Sequence, residues 1–147
     1  MCAAMKFLIF SMLFRLLLAE CNHTCACEDI NTLHSGKPDI VYEKGVGCSQ
    51  SLKCTSAHNI ISMSKELSNI PDVIDGSIAL FYNPSIPRNE RPVLTVEYFS
   101  DFGLVCEDGR WFVTKFPMGI HNGLGPFGAD AMNGKGYKAT IQYLSCN

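Results

Sequence analysis

The sequence predicts an all-β fold: a disulfide-bonded antiparallel β-sandwich that follows an N-terminal signal peptide. Three observations carry this. Short runs rich in β-branched and aromatic residues recur between glycine, proline and asparagine, with almost no helical periodicity. Two of those runs flank Asp108-Gly109, a pair that readily takes the positive φ values of a type I′ hairpin turn. Most of the eight cysteines lie downstream of an apolar leader, the usage of an exported domain stapled by disulfides.

In chain order, residues 1–21 read as the leader. Lys6 supplies its basic region, Phe7 to Phe14 an apolar run, and Leu16-Leu17-Leu18-Ala19 a second run ending in a small residue. Arg15 interrupts the apolar stretch, and a membrane span needs roughly 20 apolar residues, so no span is expected once the leader is removed. Glu20 stands where a lipoprotein box before Cys21 needs a small residue. Cleavage after Ala19 leaves Cys21, Cys25, Cys27, Cys48, Cys54, Cys106 and Cys146; cleavage after Cys21 leaves an even set of six. Residues 22–147 then form one domain, large enough to bury a core that disulfides reinforce. The formal net charge is −2 with its basic residues scattered, which argues against nucleic acid as a partner.

Asn22-His23-Thr24 is an N-glycosylation sequon, and its use as an acceptor depends on where the leader is cut. Gly36 and Pro38 mark a turn, and Ile40-Val41-Tyr42 a short strand before Gly45-Val46-Gly47. From Cys48 to Met63 the chain reads as one strand, with Leu52, Cys54, Ser56, His58 and Ile60 on a shared face. Ser64 to Ile70 is assigned one helical turn stopped by Pro71. Ser77 to Tyr82 and Pro92 to Phe99 are strands joined by the proline-punctuated loop Asn83 to Arg91. Then comes the hairpin from Phe102 to Phe116, in which Glu107 faces Arg110 and Cys106 faces Trp111. Residues 117–136 read as a long glycine-rich connection. The last strand, Tyr137 to Ser145, alternates Ala139, Ile141 and Tyr143 inward with Lys138, Thr140 and Gln142 outward. That alternation puts Cys146 on the outer face unless the strand bends.

In an extended segment Cys25 and Cys27 lie on one face with Cα atoms roughly 7 Å apart, too far to bond each other. They therefore tie the N-terminal segment to two places. Six cysteines allow fifteen pairings. The working assignment is Cys25 with Cys48, Cys54 with Cys106 and Cys27 with Cys146. A metal site drawn from His23, Cys25, Cys27 and His34 is the competing reading, disfavoured by the spacing and by the oxidising compartment.

The Cys25-x-Cys27 start, the middle cysteines Cys48 and Cys54, the Cys106-Glu-Asp-Gly-Arg-Trp111 element and the final Cys146 together resemble the six-cysteine extracellular domains of nematode secreted proteins. The resemblance implies an extracellular β-rich module of unknown activity, and a bridge between the first and third cysteines, Cys25 and Cys48. The close spacing of the first two cysteines and the long stretch before the last depart from that pattern. The Cys-x-x-Gly-x-Trp piece is also similar to part of complement-control modules, whose last bridge closes sooner after the tryptophan.

Gly123-Leu-Gly125-Pro-Phe-Gly128 has the letters of a dinucleotide fingerprint without its strand and helix, so no cofactor is expected. His23, His34, His58 and His121 come with no Gly-x-Ser-x-Gly elbow and no His-Glu-x-x-His helix, and no catalytic residue is assigned. The long connection carries apolar Met118, Ile120, Leu124, Phe127 and Met132. These side chains either cover one end of the sandwich or form a partner surface. The functional expectation is a secreted binding or interaction module with an extracellular protein or glycan as partner. The alternative is a small secreted hydrolase or lipid-binding protein.

Overall fold

The computed structural model describes residues 25–34, 40–123 and 125–147; the expected leader, Asn22 and the Gly36–Pro38 turn lie outside them. Strands β1 (Ile40–Lys44), β2 (Gln50–Ser56) and β5 (Leu94–Glu97) form a small sheet in the order β1-β2-β5. Strands β3 (Asn59–Ser64), β4 (Ser77–Leu80), β6 (Val105–Glu107), β7 (Arg110–Val113), β8 (Ile120–Asn122), β9 (Gly125–Phe127) and β10 (Ala139–Cys146) form a larger one, ordered β6-β7-β10-β3-β4-β8-β9. Pairing is antiparallel throughout both sheets. One apolar core joins the two, with Leu52, Cys54 and Val96 from the small sheet meeting Ile61, Met63, Ala79, Trp111, Val113 and Leu144 from the large one. The fold class is therefore the one the sequence predicts.

The run from Cys48 to Met63 is two strands in different sheets, not one. In β2, Gln50, Leu52, Cys54 and Ser56 are buried while Lys53 and Thr55 face solvent. The chain then breaks. The Ser56 hydroxyl accepts from the His58 amide (2.9 Å) and the Asn59 side chain donates to the Ser56 carbonyl (3.1 Å), local bonds that replace a strand ladder with a turn. His58 consequently sits at a corner between sheets rather than on a strand face. Past the corner, β3 is flanked by β10 and β4 and is buried from Asn59 to Met63.

The hairpin has the register read from its turn. Glu107 faces Arg110 and Cys106 faces Trp111, with Asp108 and Gly109 at φ 48° and 77°. The charged pair does not close on itself, however. Arg110 reaches Glu66 at 2.9 Å and Lys138 pairs with Glu107, exposed contacts of the kind that add little stability. Trp111 packs edge-on against Phe99, with ring centroids 5.5 Å apart, and its indole N–H donates to the Glu28 carbonyl (2.7 Å).

Three local expectations are corrected. The final strand carries a bulge between Ile141 and Tyr143, and the extra residue moves every later side chain to the opposite face. Tyr143 is accordingly 46% exposed, while Leu144 and Cys146 are buried. Thr140, which stands before the bulge, is also buried rather than outward, its hydroxyl donating to the Glu66 carbonyl. Ser64 to Ile70 makes no helical turn. Its polar groups are taken by the Asp75 carboxylate, which accepts from the Lys65 amide (2.8 Å) and the Ser64 hydroxyl (3.0 Å), and so short a helix has no stability of its own to oppose this. The connection 117–136 is not structureless. It holds β8, β9 and the helical turn α1 (Ala129–Met132), and Asn133 closes it by bonding both backbone groups of Phe116, each at 3.1 Å. Gly119 allows the close approach. Its φ is +83°, and a Cβ there would collide with the Phe127 carbonyl.

The bridges are Cys25–Cys48, Cys27–Cys106 and Cys54–Cys146. The first is the pairing in the working assignment; the other two exchange partners relative to it, because the β10 bulge turns Cys146 inward to meet Cys54. That bridge crosses between the sheets. The other two fasten the N-terminal segment to the β1–β2 turn and to the hairpin.

Candidate ligand pocket at the sheet corner

The chain changes sheet twice at one end of the sandwich, at Ala57–His58 between β2 and β3 and again at 81–93 between β4 and β5. The two crossovers are bonded to each other. Phe81 donates its amide to the Asn59 carbonyl (3.2 Å), and the Asn59 side chain donates to the Leu94 carbonyl (3.4 Å). This brings His58 against Tyr82, their rings stacked with centroids 4.6 Å apart and planes 24° from parallel. The Arg91 guanidinium lies 3.7 Å over the same ring, in cation–π geometry, and donates to His58 Nδ1 at 3.0 Å. A separation that short requires His58 and Arg91 to share one face of Tyr82, so neither covers the other face. The accepted bond assigns His58 its neutral Nε2–H tautomer. Burial lowers the His58 pKa, and the positive charges of Arg88 and Arg91 lower it further.

Beside this stack is a cavity of about 250 Å³ lined by Phe81, Tyr82, Asn83, Ile86, Pro92, Leu94, Pro117 and Met118. Leu94 and Met118 are 40% and 39% exposed, and Val93 next to them is 65% exposed. Arg91 is anchored to two residues of this wall, through Tyr82 and through a bond from Nε to the Ile86 carbonyl (3.0 Å). All its partners are neutral. Among the described residues neither Arg91 nor Arg88 has a carboxylate within ion-pair reach.

Of the side chains expected to form a partner surface, Met118 belongs to this pocket. Ile120 and Met132 are buried in the core, where the folded connection has carried them. Phe127 is half-buried against the same core, and Leu124 lies outside the described residues. Sequence reasoning missed Phe81, Tyr82, Ile86, Arg91, Pro92 and Leu94. Their signal was the placing of two aromatics directly before a proline-punctuated loop that holds two arginines.

Two other places have less to offer. A cleft of about 400 Å³ between the N-terminal segment and the hairpin is lined by Glu28, Arg110, Trp111 and Gln142. Its recognition groups are already engaged, Arg110 with Glu66 and the indole with Glu28. The sulfurs of Cys25, Cys48 and Cys106 gather within 4.8 Å, where two bridges lie side by side with Cys25 and Cys106 Sγ 3.7 Å apart. Metal ligation needs thiolates, and these sulfurs are bonded in disulfides. His34 lies on the bridge to Leu144, and His23 is outside the described residues. Gly123 directly follows β8, Gly125 opens β9 and Gly128 precedes a turn of helix only four residues long, too short to be the helix of a phosphate-binding fingerprint.

Fold and site define a disulfide-stapled, two-sheet β domain with a small apolar pocket where its chain crosses between sheets. The chain matches, over residues 23–146, the family described as TRA-1 regulated protein R03H10.4 and belongs to that family. Neither a curated protein nor a solved structure matches it.

Proposed function

We propose that this chain is a secreted, extracellular binding module whose binding face is the corner pocket. The observation that carries the reading is an apolar, partly exposed cavity next to a pre-positioned guanidinium that has no acidic partner among the described residues. A few polar groups placed beside an apolar hollow are what small-ligand sites are built from. Three bridges fit an oxidising compartment, as does the leader read from residues 1–21. Among the described residues no helix is long and apolar enough to cross a membrane. Asn22 is the proposed glycan acceptor. Of the partners expected from the sequence, a glycan suits this pocket poorly, because sugars present hydroxyls that an apolar wall leaves unpaired. The hydrolase alternative draws no support from His58, whose Nδ1 accepts from a cation and so makes a poor base. The lipid-binding alternative is favoured by the pocket wall and is taken up below.

The test is expression through a secretory route, with intact mass before and after reduction, non-reducing peptide mapping and an esterase assay. The expected product begins at Glu20 or Asn22, contains the three bridges and does not turn over nitrophenyl esters. Retention inside the cell with free thiols overturns the extracellular reading. Ester turnover abolished by His121→Ala replaces the binding reading with the hydrolase one.

A further inference from the structure

The geometry points to a small amphipathic carboxylate, of the size of a medium-chain fatty acid, as the ligand of the corner pocket. The inference rests on the binding-module reading and gives that site a ligand class. Four features combine. The wall is almost wholly carbon, from Phe81, Ile86, Pro92, Leu94 and Met118, which selects an apolar tail by removing it from water. At about 250 Å³ the cavity lies below the usual range for drug-sized ligands, roughly 300–1,000 Å³, so the tail is short. The guanidinium of Arg91 is fixed from three sides, by the Ile86 carbonyl, His58 Nδ1 and the Tyr82 ring. Its side-chain entropy is therefore lost on folding rather than on binding. Finally, those three partners are neutral, Arg88 adds a second positive charge near His58, and neither arginine is ion-paired among the described residues. A planar cation held in place with its charge uncompensated is suited to an anion, and a carboxylate matches its paired N–H donors.

A fatty acid of this kind would lay its chain along Ile86, Leu94 and Met118 and turn its head toward the arginines. The neutral alcohol of equal length would gain the burial and lose the charge attraction; a cationic amine would meet repulsion. No covalent step is involved.

The experiment titrates the mature, disulfide-bonded chain with octanoate, 1-octanol and octylammonium, following methyl NMR signals of Met118, Ile86 and Leu94. Saturable shifts with octanoate are expected, about tenfold weaker binding of octanol and none of octylammonium. Arg88→Gln, at an exposed position, is expected to weaken octanoate about threefold and leave octanol unchanged. Arg91→Gln is expected to weaken it more, and Met118→Glu to abolish it by placing a negative charge in the wall. Equal affinity for octanoate and octanol, indifferent to either arginine, overturns the carboxylate inference and leaves the pocket as a binding site. Silence of the pocket methyls toward all three probes overturns both the inference and the reading beneath it.

Discussion

Removing the Cys54–Cys146 bridge should cost this protein more than removing Cys25–Cys48, and the margin follows from where the bridges lie. Their sequence separations are 92 and 23 residues. Taking the bridge as a restriction on the unfolded chain, closing the two loops is worth about 4.6 and about 3.4 kcal/mol, a difference of about 1.2 kcal/mol. Burial acts in the same direction. Cys54 and Cys146 are 0% and 2% exposed, so alanine there also forfeits packing between the sheets, whereas Cys48 is exposed. The assay is urea unfolding of two double variants, Cys54→Ala/Cys146→Ala and Cys25→Ala/Cys48→Ala, from the mature chain beginning at Asn22, without reductant. Both should unfold at lower urea than the parent, the first by the larger margin. Equal losses, or a larger loss from Cys25–Cys48, would refute the argument that loop length and inter-sheet burial set the contribution.

Tyr98 is fully buried, and its hydroxyl donates to the Ser145 carbonyl at 2.9 Å; Tyr98→Phe should cost about 1–2 kcal/mol in urea unfolding. Burial also raises its pKa above the ordinary tyrosine value, so this phenol should resist ionisation in an alkaline absorbance titration until the fold is lost. Gly119→Ala should destabilise by about 2 kcal/mol more than Gly134→Ala. Both glycines have positive φ, but only at Gly119 does a Cβ meet the backbone of the neighbouring strand, and matched thermal melts decide it. His58 has its pKa lowered in the folded state, so the unfolded chain takes up the proton first. Its contribution is complete above the unfolded value of about 6.5 and is lost as pH falls through the lower folded value. The stability difference between the parent and His58→Phe, which keeps the stack and cannot titrate, should shrink in that direction; a difference constant from neutral to acidic pH would contradict this.

The parts of the fold that were legible are those whose cause is local. Asp108-Gly109 specifies its turn, and a two-residue turn fixes the register of both strands, so the facing of Cys106 and Trp111 follows from the letters alone. The β10 bulge has no such local cause. Tyr137 to Ser145 alternates cleanly in sequence, and the break comes from pairing with β3, where Ile141 and Tyr143 oppose adjacent residues Met63 and Ser62. That single non-local event misplaced Tyr143 and Cys146 and exchanged two bridges. The corner at Ser56–Asn59 was open to reading, since serine and asparagine at that spacing favour a turn, but the period-two pattern of β2 ran on through it. As for the site, Met118 was visible as an apolar residue in a loop. Its partners come from residues 81–94, a separate stretch, and no sequence pattern marks two crossovers as neighbours.

That neighbourhood connects the pocket to the disulfide beneath it. Cys146 pairs with Asn59 in the ladder between β10 and β3, and the amide of Asn147 donates to the His58 carbonyl at 3.3 Å. Cys54 stands two residues before Ser56, whose hydroxyl holds the His58 amide. The bridge therefore clamps both strands that run into the corner, while lining no part of the pocket itself. If His58, Tyr82 and Arg91 are held ready by this corner, Cys54→Ala/Cys146→Ala should weaken octanoate binding about twofold to tenfold, the cost of ordering one or two side chains on binding instead of on folding. Cys25→Ala/Cys48→Ala, which loosens the far N-terminal segment, should leave it unchanged. The comparison is made at a temperature where both variants are fully folded by circular dichroism. Equal octanoate affinity in the parent and both variants would show that the corner keeps its geometry without the bridge, and that the arginine is positioned by the 81–93 crossover alone.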